Sequence, residues 1–298
     1  MGAHGIAGWS GAPGSVRRPG MDYAHARHAG NFGDVFKHVA LIAVMEALRE
    51  DASPLTYVES HAGDGLYQLG SNGEWTAGVQ KLWPARGAKV GDADVLDRYV
   101  SLVTRWSRPG AEKPEKYPGS PLVAQALLRP QDRLVLYDIE PNVTRVLRTS
   151  LGDEARAEVR LGDGLASLPA AVGGEKGRRV VALVDPPYTQ RAEWDATAQA
   201  VCAARSAAPK AAFVIWYPIK ALTRPRALLK MLTDGGVHGT VVELISVPLR
   251  LKREKLSGSG VVLVNAPERA TAALLASLVR LGPALMTQGE WSANQIGF

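Results

Sequence analysis

The pattern of apolar and polar positions predicts seven β-strands, most of them separated by stretches with helical periodicity. The predicted strands are 55–60, 133–140, 157–163, 180–185, 211–218, 240–249 and 260–267. The run Val180–Val184 is uncharged and rich in valine, which is typical of a strand buried on both faces of a parallel sheet. Strands that alternate with helices predict an α/β fold with a doubly wound, mostly parallel sheet.

Two connections depart from this regular alternation. About seventy residues separate the first two strands, more than one crossover helix needs, and we predict an inserted helical subdomain at about 70–117. Ser120 as N-cap and Pro121 as first helical residue are expected to restart the sheet domain. The short basic link between the last two strands predicts an antiparallel hairpin, so that the last strand runs against the others.

A helix is predicted over 34–50, because the spacing of apolar residues such as Phe36 and Val39 fits one helical face. Asn31 or Asp34 is its expected N-cap.

Composition narrows the class of protein. The chain has 298 residues, of which 46% are hydrophobic, enough for one large α/β domain. Residues 1–20, rich in glycine with proline and arginine, predict a disordered extension, with Met21 as the expected start of the domain 21–298. The formal charge of +6 favours an anionic partner such as nucleic acid.

Cysteine content and hydropathy bear on location. Cys202 is the single cysteine, which excludes an internal disulfide, argues against a cysteine-ligated zinc site and favours a reducing cytoplasm. No apolar run reaches the length of about 18 residues that a membrane span requires. The expectation is a cytoplasmic protein without a membrane partner.

Candidate ligand-binding residues follow the predicted strands, where open α/β sheets bind ligands. Gly63 and Gly65 form a turn after the first strand, without the third glycine of a dinucleotide fingerprint; alone, the pair also fits an ordinary strand-to-helix turn. Asp138 ends the second strand, where an acid can bind ribose hydroxyls. Asp163 and Gly164 follow the third and could bind an adenine amino group. Each acid also has a simpler interpretation as a helix cap or turn residue.

The sequence Asp185-Pro186-Pro187-Tyr188 after the fourth strand is the most specific signal. The prolines stiffen the loop, and Pro186 still offers a carbonyl acceptor. Alone, the motif also fits a turn after a strand. A carboxylate beside a carbonyl can accept both hydrogens of a planar exocyclic amine, while Tyr188 can stack on the ring that bears it.

These motifs resemble class I S-adenosylmethionine-dependent amino methyltransferases, and most specifically the RlmJ family, whose members methylate adenine N6 in 23S ribosomal RNA. The matching segments, from about Met21 almost to the C-terminus, are YAHARHAGNFGDVFKH, ESHAGDGLYQLG, YPGSPLVAQALL, DPPY, WYP and SGSGVVLVNAP. The resemblance implies a Rossmann-like fold, S-adenosyl-L-methionine as methyl donor, S-adenosyl-L-homocysteine as product, and no metal. It also implies a monomer that acts on protein-free RNA or an early assembly intermediate.

The resemblance implies roles for individual residues. The methyl-donor site would be lined by His38, His61, Ser120, Asp138, Asp163, Gly164 and Asp185. The target base would be bound by Tyr23, His25 and Lys37, and catalysis would rest on Asp185, Pro186 and Tyr188. Two positions depart from the family pattern: Asp138 stands in place of glutamate and Glu59 in place of aspartate. His38 and His61, taken without the resemblance, are more typical of structural histidines.

In this mechanism, hydrogen bonds to Asp185 and the Pro186 carbonyl favour a pyramidal amine. Asp185 takes a proton only after methyl transfer, when the nitrogen is cationic, because a carboxylate is too weak a base for the neutral amine. The base must first leave its stack. Candidate phosphate contacts are Arg17, Arg18, Arg27, Lys37, Arg250, Lys252, Arg253 and Lys255, although the hairpin charges also fit a solvated surface. A DNA adenine methyltransferase, a catalytically inactive RNA-binding or assembly factor, and a dinucleotide oxidoreductase are the alternatives.

Overall fold

The computed structural model describes residues 27–85, 94–249, 256–286 and 291–298. Its strands are β1 (Leu55–Glu59), β2 (Leu66–Gln68), β3 (Lys116–Pro118), β4 (Arg133–Asp138), β5 (Ala157–Leu161), β6 (Arg179–Val184), β7 (Ala212–Ile219), β8 (Thr240–Ile245), β9 (Gly258–Val264) and β10 (Ser292–Gly297). Its α-helices are α1 (Phe32–Arg49), α2 (Val79–Leu82), α3 (Val95–Thr104), α4 (Ser120–Leu127), α5 (Pro141–Leu151), α6 (Gly164–Gly173), α7 (Arg191–Ala207), α8 (Thr223–Asp234) and α9 (Glu268–Leu285). None of these helices is both long and apolar enough to cross a membrane.

Within the described ranges, one eight-stranded sheet has the order β10-β8-β9-β7-β6-β1-β4-β5. Strands β7, β6, β1, β4 and β5 pair in parallel, whereas β9 runs antiparallel to both β7 and β8. The seven predicted strands and the antiparallel hairpin are therefore confirmed. Strand β10, which pairs antiparallel with β8, was not predicted, because SANQIG carries no alternation of apolar side chains.

Helix α1 begins at Phe32, two residues before the predicted start, and Asn31, one of the two expected residues, is its N-cap. The Asn31 side chain accepts a hydrogen bond of 2.9 Å from the Asp34 backbone N–H. The sequence predicts one apolar face, but the buried surface of α1 is wider than that. The helix is buried on almost all sides, between α9, α4 and the sheet. This burial carries Lys37 and His38 into the interior of the protein.

The segment predicted as an insertion contains short 3₁₀-helices at Glu74–Ala77 and Trp83–Ala85, together with α2 and α3. Trp75, Trp83 and Tyr99 are buried in the same hydrophobic core as α1. A two-stranded antiparallel sheet of β2 and β3, too short to be visible in the sequence pattern, joins the two ends of the segment. The division of the chain into extension, domain and insertion stays a prediction.

The predicted N-cap at Ser120 is wrong by one residue. Helix α4 begins at Ser120, and Gly119 is its N-cap. The Ser120 hydroxyl does not accept a helix N–H but donates a 2.5 Å hydrogen bond to Glu59 Oε1.

Candidate active site

The carboxyl ends of β1, β4, β5 and β6 meet at one edge of the sheet, because these neighbouring strands are parallel. Asp138 ends β4 and the glycine turn follows β1; the Gly63 backbone N–H donates to Asp138 Oδ2 at 3.0 Å. Gly63 has a φ of +63°, and a Cβ there would lie 2.3 Å from the Tyr67 hydroxyl. The predicted turn and the predicted ribose-binding acid are thus in direct contact.

Asp138 is oriented by backbone groups at both oxygens. Its Oδ1 accepts a hydrogen bond of 3.0 Å from the Glu140 N–H, while Oδ2 is held by Gly63. An ionised carboxylate has about four lone-pair sites. Asp138 can therefore still accept hydrogen bonds from a diol.

Asp163 caps helix α6, as its simpler interpretation predicts. Its Oδ1 accepts from the N–H groups of Leu165 and Ala166, at 2.9 and 3.0 Å. The next residue, Gly164, is buried so tightly that a Cβ would lie 1.9 Å from the Ser60 carbonyl oxygen. This contact seats the start of α6 directly on the end of β1.

Two large apolar side chains beside these acids are exposed. Ile139 is 62% exposed after β4, and Leu161 is 55% exposed at the end of β5. Exposed isoleucine and leucine next to strand-end acids form a surface on which a flat ring can pack. Sequence reasoning missed both residues, although each lies within two positions of a predicted acid.

Asp185 follows β6 and forms a buried ion pair with Lys37 of α1. Lys37 Nζ lies 2.5 Å from Asp185 Oδ2 and 2.9 Å from Asp34 Oδ1. Burial alone would favour the neutral amine, but the charges of Asp185 and Asp34 outweigh it and raise the pKa of Lys37. One cation thus lies between two carboxylates, and the cluster carries a net negative charge.

His38 and His61 lie in different surroundings. His38 is buried, with Nδ1 2.9 Å from the Tyr117 hydroxyl and its ring stacked on that of Tyr117. Burial and the charge of Lys37 lower the pKa of His38 to about 3, so the ring is neutral. His61 is partly buried beside the strand-end acids; burial lowers its pKa, although Asp185 and Asp138 oppose the decrease.

Tyr188 is buried rather than displayed at the surface. Its side chain is 8% exposed, its φ is 50°, and its ring lies 4.2 Å from that of Trp194 between centroids. Burial raises the pKa of its hydroxyl, which therefore stays protonated. A stacking role of Tyr188 against a base stays a prediction.

Trp216 is an aromatic residue of the site that sequence reasoning did not single out. It is partly exposed near the end of β7, with its ring centroid 5.6 Å from Lys37 Nζ. Its Nε1–H donates to Ser259 Oγ at 2.6 Å, which fixes the plane of the indole. The signal was the WYP segment, which places a tryptophan at the end of a predicted strand.

Glu59, which the sequence marks only as a departure from the family pattern, has an unexpected place in the site. It is fully buried at the end of β1, where it accepts hydrogen bonds from Ser120 and from the Tyr57 hydroxyl, at 2.5 and 2.8 Å. Burial raises the pKa of Glu59 to about 8, although both hydrogen bonds oppose the increase. The structure joins Ser120 to the site through this acid.

Several predicted residues lie outside the described part of the chain. These are Tyr23, His25, Arg17, Arg18, Arg250, Lys252, Arg253 and Lys255. Arg27 is described and exposed. Among the described ranges, no group of three or more His, Cys, Asp or Glu residues is arranged to hold a metal ion.

Comparisons with known proteins place this chain in a family. The family model described as "Ribosomal RNA large subunit methyltransferase D, RlmJ" matches residues 52–296. Ribosomal RNA large subunit methyltransferase J of Escherichia coli (strain K12) is 31% identical over 253 residues, which cover 83% of this chain and 88% of that protein. The protein of the same name from Haemophilus influenzae is 28% identical over 283 residues, which cover 93% and 99% of the two chains.

A solved structure agrees with the sequence relatives. The crystal structure of a protein from Legionella pneumophila str. Philadelphia 1 is 26% identical and superposes with a TM-score of 0.78, covering 90% of this chain and 98% of that one. The resemblance inferred from the motifs is confirmed: the chain belongs to the RlmJ family of large-subunit ribosomal RNA methyltransferases.

Proposed function

We propose that this protein transfers a methyl group from S-adenosyl-L-methionine to the N6 amino group of an adenine in large-subunit ribosomal RNA. The observation that carries the proposal is the position of Asp185, at the end of a buried strand and next to the proline carbonyl of Pro186. Lys37 occupies only Oδ2 of this carboxylate. The other oxygen and the Pro186 carbonyl can accept the two hydrogens of an exocyclic amine.

The strand ends fit the methyl donor. Asp138 is oriented for the ribose hydroxyls, and the exposed Ile139 and Leu161 fit the two faces of an adenine ring. The bound donor would supply an electrophilic methyl group on a sulfonium and its own leaving group. Gly63 and Asp163 line the same edge, and the buried Glu59 closes the base of the site.

The chain's own residues act by position and charge. Two hydrogen bonds from the amine to Asp185 and Pro186 localise the nitrogen lone pair, which otherwise delocalises into the ring. After transfer the nitrogen is cationic, and Asp185 can take its proton. The net negative charge of Asp34, Lys37 and Asp185 stabilises that cation before the proton leaves.

Two aromatic residues of the site have different roles. The partly exposed Trp216 offers an indole face to the target base beside Lys37, whereas Tyr188 packs on Trp194 and shapes the loop. The predicted contacts of Tyr23 and His25 with the base are part of the proposal. The proposal also includes a substrate RNA that is free of protein or early in assembly, and a protein that acts as a monomer. Because ribosomal RNA is the substrate, it includes a cytoplasmic location.

The proposal is tested by labelled methyl transfer to deproteinised ribosomal RNA and to DNA in parallel, followed by nucleoside analysis. We expect label in N6-methyladenosine from RNA alone. Asp185→Ala should abolish transfer and retain part of the binding of the methyl donor, because the other residues of the donor site remain. Asp153→Ala, at an exposed loop position, serves as the matched control. Label from DNA alone, or full turnover by Asp185→Ala, would refute the proposal.

A further inference from the structure

A second cleft lies at the carboxyl ends of the strands, on the far side of β7 from β6 and Asp185. Its volume is about 380 Å³, and Leu222, Glu243, Trp291 and Asn294 are among its lining residues. Strand β8 runs in the direction of β7, since both are antiparallel to β9. The ends of β7 and β8 therefore place this cleft on the carboxyl edge, where the active site lies.

A buried carboxylate lines the cleft. Glu243 is 6% exposed, and its Oε1 accepts a 2.7 Å hydrogen bond from the Tyr217 hydroxyl. Its other oxygen makes no hydrogen bond with any residue that the structure describes. Tyr217 reaches Glu243 across β9 only because position 260 is glycine, where a Cβ would lie 2.2 Å from the tyrosine ring. An acceptor held this firmly with one oxygen unused fits a ligand that donates hydrogen bonds.

An aromatic ring and an amide complete the lining. Trp291 is partly exposed, and its ring lies against Gly282 of α9. Asn294 of β10 adds a donor and an acceptor. A carboxylate, an amide and an indole form the set that recognises a planar base with an amino group.

Three basic residues lie within four positions of Leu222, which lines the cleft. Lys220, Arg224 and Arg226 are exposed around Leu222 at the start of α8, and none of them pairs with an acid in the described ranges. On the same helix, by contrast, Lys230 pairs with Asp234 at 2.7 Å. Exposed cations that follow and precede a residue of the cleft fit a nucleotide whose base enters the cleft and whose phosphate stays outside it.

Buried aromatic side chains link the lining of the cleft to the catalytic loop. The Tyr217 ring that bonds Glu243 lies 6.3 Å from Trp194, and Trp194 lies 4.2 Å from Tyr188. Two ring contacts therefore join the cleft to the Asp185-Pro186-Pro187-Tyr188 segment. The cleft and the active site also lie on the same carboxyl edge of the sheet.

We propose that this cleft binds a second nucleotide of the RNA strand whose adenine enters the active site. The base donates its amino group to Glu243 and packs on Trp291, and Lys220 and Arg224 bind its phosphates. Cytosine, whose amino group pairs with a carboxylate, fits better than uracil, which has none. This inference rests on the proposed function, because it takes RNA as the substrate.

The phosphate-binding role of Lys220 and Arg224 is tested by fluorescence anisotropy with short labelled oligo(C), without methyl donor. The Lys220→Ala/Arg224→Ala double variant should bind about tenfold more weakly, and the slope of its salt dependence should fall by about 0.7 for each phosphate that it no longer neutralises. Lys230→Ala removes one cation from the same helix and should bind like the wild type. Equal affinity and salt dependence in the double variant and the wild type would overturn the proposal.

The base contact is tested with oligo(C) against oligo(U), neither of which contains adenine for the active site. The wild type should prefer oligo(C), and Glu243→Gln, which can still accept the Tyr217 hydrogen bond, should lose about tenfold of this preference. Asn294→Leu provides a second variant if Glu243→Gln does not fold. No preference in the wild type, or the same preference in both proteins, would overturn the base contact.

Failure of the inference and failure of the proposed function are distinguishable. A protein that binds oligo(C) through the cleft but transfers no methyl group to ribosomal RNA contradicts the proposed function alone. Normal KM for ribosomal RNA in the double variant, together with active methyl transfer, contradicts the cleft alone.

Discussion

Replacing Glu59 with glutamine is expected to stabilise the protein in alkaline solution and to have little effect in acid. The raised pKa of Glu59 means that the folded protein holds this proton up to about pH 8, whereas the unfolded chain releases it near pH 4.5. Folding therefore takes up a proton between these two pH values. The free energy of unfolding falls as pH rises through this window and is level above it.

The size of the effect follows from the two pKa values. The difference between 4.5 and about 8 corresponds to an unfavourable free energy on the order of 5 kcal/mol above pH 8. Glutamine resembles the protonated acid: it is neutral, has nearly the same shape and still accepts a hydrogen bond from Ser120 or Tyr57. The variant should avoid the loss that the wild type suffers on ionisation.

Urea unfolding of both proteins at about pH 5 and about pH 9 measures the difference. Glu46→Gln is the matched control, because Glu46 is partly exposed and pairs with Arg98 at 3.0 Å. It should change stability by no more than about 1 kcal/mol at either pH. If the stability difference between Glu59→Gln and the wild type is the same at both pH values, the pKa of Glu59 is not raised and the reasoning is wrong.

Two further substitutions test the packing and the charge of the site. Gly164→Ala should lower the free energy of unfolding by more than about 3 kcal/mol, since the added Cβ would meet the Ser60 backbone. The control Gly162→Ala has nothing within 4 Å of its Cβ and should change this free energy by no more than about 0.5 kcal/mol. Equal urea midpoints for the two variants would contradict this expectation. Lys37→Met leaves the carboxylates of Asp185 and Asp34 without the cation that lies between them. The variant should lose about 3–5 kcal/mol of unfolding free energy, measured with urea, and should transfer no methyl group. Wild-type stability and turnover in Lys37→Met would show that the ion pair has no role.

The fold was predictable wherever burial imposes a simple pattern on the sequence. The run Val180–Val184 is apolar throughout because both faces of β6 are covered, and its strand was recognised. Strand β10 was not, because most of its residues are exposed and no apolar alternation is required. The hydrogen bonds that make it a strand come from β8, which lies far away in sequence.

The site was predictable only in part for a related reason. The strand-end acids appear in the sequence because each follows an apolar run. The pairing of Lys37 with Asp185 joins residues 148 positions apart, and no local pattern shows it. The burial of Glu59 depends likewise on Ser120 and Tyr57 meeting around it, which only the folded chain brings about.

The two edges of the sheet bear on the solubility of this protein. Without β10, the edge would be β8, an almost fully buried apolar strand whose free backbone groups could pair with another chain and start aggregation. The polar β10 covers that strand, and at the opposite edge β5 presents the charged side chains of Glu158 and Arg160. Shortening the chain before Ser292 would therefore expose the backbone groups of β8 and promote aggregation.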